Sequence, residues 1–533
     1  MSDYMDLQRQ LREGCISRRH FLASCAAVGI AGGVAPALLS EAAQAATPKK
    51  GGRFRIGLTD ANTSDSLIPE ESASMMQAAL EHGQIGNNLV EIDADGVPQP
   101  ELAESFESSP DASKWIFKLR EGIEFHNGKT LEAADVVDTI HHHHHADSKS
   151  GAKGVMGGIE NVKADGKNTV VFELSGGSAD FPFIMSDFHL HIFPAGTKGE
   201  EFNKGIATGP YMLKEYEPGV RAFTVRNPNY WKSGRAHFDE VETLAINDAN
   251  ARTNALQTGA IDLMNRCEQK TLHMIRQTEG IEVVQTDGTQ HYSIPMHTKL
   301  APFDNNDVRL ALKYAIDREA ILKTILRDIG YLGNDFPIGK ANRYRATEEE
   351  IPQREYDVDK AKFHMKKAGF NSLDITLQAA DAPFVGAVDT GILYSEHAKK
   401  AGINLKVDRV PEDGYWNDIW LKSPFCFCFW FGRPTEDMMF STAYASGAAW
   451  NDAHWDHERF NKLLVEARGM LDVVKRREIY VEMQRIVRDE AGTVIPVFAS
   501  DLMANSDKLK HGKVASNIQM DGLRVAERWW FDS

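Results

Sequence analysis

The 533-residue chain carries 76 acidic and 60 basic side chains, a formal net charge of −16. Such an acidic, mixed surface argues against nucleic acid or an anionic membrane as partner, because both require a positive face. About 490 residues remain beyond an N-terminal leader, more than one hydrophobic core serves, so two or more lobes are expected.

The leader comes first in chain order. Ser17-Arg18-Arg19-His20-Phe21-Leu22 is a twin-arginine export pattern, followed by the apolar run Ala26 to Leu39 and the small-x-small site Ala43-Gln44-Ala45. That run is about 14 residues, short of the roughly 20 that span a bilayer. Residues 1–45 therefore read as a removable signal peptide, and the location as periplasmic by the twin-arginine route. Leu22-Ala23-Ser24-Cys25 resembles a lipoprotein box but follows the arginines too closely for an apolar region to precede it. Beyond the leader Cys267, Cys426 and Cys428 remain, an odd number and no disulfide framework.

Alternation of Phe54, Ile56 and Leu58 predicts a buried first strand over 52–58. A helix running into a strand follows in "MMQAALEHGQIGNNLVEID", then a strand through Trp115, Phe117 and Leu119. Thr130 is the expected cap of a helix carrying Ala133, Val136, Val137 and Ile140, which puts the run His141–His145 at its C-terminal end or just past it. Two strands flank the Pro218-Gly219 turn, and a helix stopped by Gly259 leads into another strand. Val308, Leu312, Ala315 and Ile316 share one helical face, and Asp317 caps the next helix. The last third alternates helices (355–369, 386–401, 457–471, 474–490) with strands (373–378, 403–410, 425–431). The pattern is α/β with mixed sheets. No linker separates lobes, which suggests that the chain crosses between them more than once.

Five collinear stretches resemble one family: "PELAESF" with "FKLREGIEFHNG"; "GPYMLKEYEPG" with "NPNYW"; "FDEVETLAINDANARTNALQTGAIDL"; "FDNNDVRLALKYAIDREAI"; and "AWNDAHWDHERFNKLLVEAR" with "RREIYVEMQRIVRDEAGTVIPVF". The chain is similar to the periplasmic solute-binding proteins of the dipeptide/oligopeptide/nickel class, which serve ATP-driven importers. The resemblance implies a two-lobed periplasmic-binding-protein fold with two hinge crossings. Lobe I would comprise 46–290 plus 496–533, with 91–206 as a small subdomain, and lobe II 291–495. The crossings would lie near Tyr292–Met296 and Ala491–Pro496, where Gly492 and Pro496 suit a hinge. It also implies a monomer whose partners are a small solute (a dipeptide, an opine or a related amino compound) and the membrane permease of an ABC importer.

The sharpest local feature is "SPFCFCFWFGRPTEDMMF" (423–440), with Phe425, Phe427, Phe429 and Phe431 on one face and Cys426, Cys428 and Trp430 on the other. In related binders an aspartate in the following loop takes the ligand's α-amino group. Here that loop is Gly432 to Asp437, so Asp437 is the candidate, with Glu436 beside it, or else part of a surface ion pair. Arg433 departs from the pattern and would bind a ligand carboxylate or neutralise Glu436. Peptide binders tend to carry an arginine in the region of 377–388; this chain offers Asp381 and Phe384 instead, which places an ordinary dipeptide in doubt and leaves room for an opine-like amino acid conjugate or another small amino compound, with Arg433 as its carboxylate partner. Trp430, Trp450 and Asn451 are candidate cleft walls, the tryptophans equally candidates for core packing.

The two cysteines of that strand read as buried thiols rather than a redox or metal pair. "HWDHE" (454–458) and "HLH" (189–191) lack the spacing of a zinc hydrolase. No phosphate loop, dinucleotide fingerprint or nucleophile elbow appears, so neither cofactor nor catalysis is expected, and an exported hydrolase is the remote alternative. A nickel- or metal-chelate binder of the same family is the nearer one. The His141–His145 run reads as a polar helix end on which His141 and His145, at i,i+4, could hold an adventitious ion.

Overall fold

The computed structural model describes residues 48–532 apart from Asp60, 72–73, Ala146, Val385 and 412–414; the expected leader lies outside them. The first strand, Arg53–Leu58, lies inside a seven-stranded mixed sheet, paired in parallel with Glu240–Ala245 and Leu263–Asn265. The order across that sheet is Ile281–Thr286, Asp501–Ser506, Leu263–Asn265, Arg53–Leu58, Glu240–Ala245, Arg221–Arg226 and Tyr211–Glu217. Its strand alternation is realised: Phe54, Ile56 and Leu58 are buried in one core with Phe238, Val241 and Trp529.

A separate antiparallel sheet, Ala103–Ser108, Lys114–Leu119, Thr169–Leu174 and Ile159–Ala164, forms the small subdomain around Trp115, Phe117, Phe172 and Phe181. The helix Ala133–His144 packs on it. Its N-cap is Glu132 rather than Thr130, because the Asp135 carboxylate accepts from the Glu132 N–H at 2.9 Å and so closes the first turn three residues later. A buried ionic network bolts this region to the end of the chain. Lys232 lies 2.6 Å from both Glu91 and Glu101, and Arg524 reaches Glu101 at 2.8 Å and Glu527 at 2.7 Å. Burial alone would raise the Glu91 carboxyl, but Lys232 and Arg524 hold it down to about 2.

The second lobe has an antiparallel sheet of Gly330–Leu332, Thr493–Ala499, His291–Pro295 and Cys428–Trp430, and a parallel pair, Leu373–Ala379 with Ile403–Arg409. A bridge between Gln378 and Cys426 joins the two. Segment 425–430 is buried on both faces. Phe425 and Phe427 enter one core, with the helices Asn306–Tyr314 and Ala387–Lys399. Cys428 and Trp430 enter the other, with Glu458–Gly469 and Val473–Glu490.

Both crossings differ from expectation. The chain leaves the first sheet at Thr286 and enters the second at His291, so the first crossing is 287–290. It returns between Thr493–Ala499 and Asp501–Ser506, at Ser500, and a lobe boundary at 496 would cut a strand. Pro496 does not end that strand because the ladder shifts register between Tyr292 and Ile294, which accommodates the missing N–H as an irregularity. Gly492 is packed inside the second lobe, where an added Cβ would lie 2.5 Å from the Met296 carbonyl oxygen. The two crossings are stitched together: Ser500 Oγ donates to Asp287 at 2.7 Å, and Lys340 Nζ pairs with the same carboxylate at 2.6 Å.

Candidate functional site

A cavity of about 400 Å³ opens between the small subdomain and the second lobe, within the size range of small-molecule sites. Residues 154–159 and 174–176, with Ser178, Phe181 and Ile184, supply one wall; Arg433, Asp437, Ser441, Thr442 and Arg468 supply polar groups on the other. The second wall follows from local chain chemistry. The strand Cys428–Trp430 exits to Gly432, whose φ of +72° suits glycine and whose missing Cβ leaves room for Thr289 in the first crossing. Thr435 then caps the helix Glu436–Ala443 by accepting from the Met438 N–H. Glu436 and Asp437 are thus the first turn of a helix rather than loop residues, and point in different directions.

Glu436 is buried behind the cavity, where it accepts from the Tyr344 N–H at 2.7 Å; burial, opposed by that hydrogen bond, pushes its carboxyl up to about 7. It shares neither the Asp437 position nor an ion pair with Arg433. Asp437 lines the cavity and accepts from Arg468 Nε at 3.1 and 3.2 Å, while Arg468 Nη2 donates to Ser441 at 2.8 Å. Burial, opposed by Arg468, raises the Asp437 carboxyl to about 6. Arg433 is half-buried. Its Nη1 donates to the Gly432 carbonyl at 2.7 Å, its guanidinium lies 5.9 Å from the Trp430 ring centre, and burial lowers its pKa. No carboxylate among the described residues makes an ion pair with it. The cavity wall thus carries Arg433 and Arg468 against Asp437, a positive excess.

The remaining candidates hold the scaffold. Asn451 fixes a turn, accepting from the Trp455 N–H at 3.0 Å and donating to the Trp455 carbonyl at 2.7 Å. Asp381 accepts from the N–H groups of Gly386 and Val388 at the start of a helix. Phe384 stacks on Tyr292 with ring centres 3.7 Å apart. Trp430 is buried against Trp420 and against Trp450, which is 47% exposed. Of the nine candidates only Arg433 and Asp437 line this cavity. Sequence reasoning missed Arg468, Ser441 and Thr442, although Thr435 before two acidic residues is a helix-start signal that would have placed the last two on one helix.

The cysteines are free and buried, and burial pushes the Cys426 thiol up to about 12. The "HWDHE" and "HLH" histidines have structural partners: His457 caps a helix, and His189 pairs with Asp187 at 2.6 Å. Among the described residues one trio of metal-type ligands is tightly clustered, Glu91, Glu101 and Glu527, and it already surrounds Lys232 and Arg524.

Two lobes, two adjacent crossings and a polar cavity between lobes define a solute-capturing fold of the periplasmic-binding type. The chain belongs to the bacterial extracellular solute-binding proteins, family 5, whose model matches residues 97–452. It is 26% identical over 455 residues to heme-binding protein A of Haemophilus influenzae, covering 76% of this chain and 80% of that one. It is 25% identical over 441 residues to the dipeptide-binding protein of Escherichia coli, covering 74% and 80%. The solved structure of HbpA2 from Haemophilus parasuis superposes with a TM-score of 0.82 at 19% identity, covering 90% of this chain and all of that one.

Proposed function

We propose that the protein captures a small peptide-like or opine-like solute with a free carboxylate and hands it to the permease of an ABC importer. It would act as a monomer in the periplasm, reached by the twin-arginine route, and would bind and release without catalysis. The observation that carries this reading is Arg433, a half-buried guanidinium in the cavity wall with no acidic partner among the described residues. A planar fork of donors in that state suits a carboxylate. Asp437, held by Arg468, can face an amino group on the same solute, as the dipeptide-binding relative's name suggests. Family membership supports the importer partnership.

The test is a melting-temperature screen against dipeptides, opines, their decarboxylated analogues, a nickel–histidine chelate and haem. Carboxylated amino compounds should raise the melting temperature, and Arg433→Gln should weaken their binding by roughly tenfold to a hundredfold, the worth of a charged hydrogen bond. A response to the chelate or haem alone would overturn the reading.

A further inference from the structure

Away from the cavity, one carboxylate faces two imidazoles where the first lobe meets the small subdomain. Glu70, in the helical turn Pro69–Glu71, presents Oε2 to His142 Nε2 at 3.6 Å and to His145 Nε2 at 3.7 Å. Both distances are too long for hydrogen bonds. Glu70 Oε2 and His142 Nε2 are nevertheless buried and have no hydrogen-bond partner. Two unsatisfied polar atoms facing each other call for something between them.

The geometry identifies that something. Around a tetrahedral ion with bonds of about 2.0–2.2 Å, ligand atoms stand roughly 3.3–3.6 Å apart, close to the two spacings from Glu70 Oε2. The two imidazoles stand farther apart than the 4.8 Å that encloses the Glu91, Glu101 and Glu527 trio, so His145 has to move toward His142 to close the third edge. The His142 ring is held in place by Phe193 and Phe202, at 5.4 and 5.0 Å. Asp138, one turn earlier on the same helix, adds negative potential. The helix ends at His144 and His145 is its cap in an extended conformation, so the pair that faces Glu70 is His142 and His145 rather than His141 and His145. His143 turns inward, to Ser150 Oγ at 2.7 Å.

We propose that Glu70, His142 and His145 bind one borderline divalent transition-metal ion such as Zn²⁺, with water as fourth ligand, the half-exposed His145 ring swinging in to complete the seat. Imidazole with one carboxylate is a donor set suited to zinc and its neighbours. The ion would tie the turn after the first strand of lobe I to the subdomain helix. This site is independent of the solute cavity.

The test is a Zn²⁺ titration of the full chain, purified without an added tag and dialysed from EDTA, followed against a chromophoric chelator. One equivalent should bind, and the variant His141→Ala/His144→Ala, which removes the two histidines of the run that face neither Glu70 nor Ser150, should bind it equally well. Glu70→Gln, His142→Ala and His145→Ala should each weaken binding by more than about tenfold. His145 lies at the helix end and its loss leaves the core untouched, so that variant reports binding even if the others fold poorly. Arg433→Gln should leave zinc binding unchanged. Absence of stoichiometric binding, or binding lost in His141→Ala/His144→Ala but kept in His145→Ala, overturns the proposal.

Discussion

Asp180 of the small subdomain and Arg476 of the second lobe meet at 2.6 Å, with side chains 7% and 5% exposed. Arg476 also donates to the Ala467 carbonyl, and beside this pair the Ala179 N–H donates to the Arg468 carbonyl. The pair therefore exists only when the lobes are together. Asp180→Ala should disfavour the closed form by about 3–5 kcal/mol, because it strands a buried guanidinium. Small-angle scattering should show a larger radius of gyration. The double variant Asp180→Leu/Arg476→Met should recover most of the loss, since matched apolar replacement removes both desolvation costs. An unchanged radius in Asp180→Ala would show that the pair does not hold the lobes together.

Glu436 makes stability depend on pH. Burial raises its carboxyl from 4.5 to about 7, so the folded chain keeps a proton that the unfolded chain has lost over that interval. The favourable contribution is intact below about pH 4.5 and disappears as pH rises through about 7. Glu436→Gln keeps an acceptor for the Tyr344 N–H and removes the titration. Denaturant unfolding should find the variant more stable at pH 8, by on the order of 3 kcal/mol at most, and the advantage should vanish near pH 4. Asp437 slopes the same way and leaves a residual dependence. A variant no more stable at pH 8 contradicts the assignment.

Gly432→Ala tests the seat against the hinge. The residue has φ +72° and an added Cβ would lie 2.3 Å from Thr289 Oγ1 and 2.6 Å from the Thr289 carbonyl oxygen. Gly447 offers a control, with φ +74° and nothing within 4 Å of its Cβ position. Gly447→Ala should cost only the left-handed backbone term, about 1–2 kcal/mol. Gly432→Ala should cost more, and the difference between the two melting shifts measures the clash. Equal shifts would mean that the Thr289 segment yields freely.

Thiol chemistry checks the strand around Cys426 and Cys428. Both are buried, as is Cys267, and burial pushes the thiols of Cys267 and Cys426 up to about 12. The thiolate is the reactive species, so a maleimide at pH 8 should leave the native protein unlabelled at these positions and label all of them in denaturant. Rapid labelling of Cys426 or Cys428 in the native state would contradict their burial.

Much of the architecture was legible because it rests on local periodicity. Phe54, Ile56 and Leu58 alternate as a strand must, and Asp317 caps the helix Arg318–Thr324 as its spacing with Ala320 requires. The crossings were misplaced because Gly492 and Pro496 look like chain breaks, whereas a register shift inside the ladder absorbs the proline. The site was half legible. Arg433 and Asp437 stand out locally, but Arg468 is 31 residues from Asp437 and is brought there only by packing of one helix on another. Glu436 was misread for a related reason. Adjacent helical residues diverge by about 100°, so one faces the cavity while its neighbour faces the core.

The ionic network around Arg524 and Glu527 has a bearing on how the protein is made. Those residues neutralise and are neutralised by groups at positions 91, 101 and 232, and strand Asp501–Ser506 lies within the first lobe's sheet. The first lobe therefore starts its sheet before the second lobe is made and cannot finish it until residues 501–506 and 524–527 have followed the second lobe out of the ribosome. Until then Glu91 and Glu101 lack one of their two counter-ions and strand Ile281–Thr286 lacks its partner. The second lobe, made of 291–499, has all its strands while the first still waits. Translation order thus imposes a delay between the two lobes. Proofreading of the first lobe's fold therefore falls to the segment 501–527, which arrives after the second lobe is already complete.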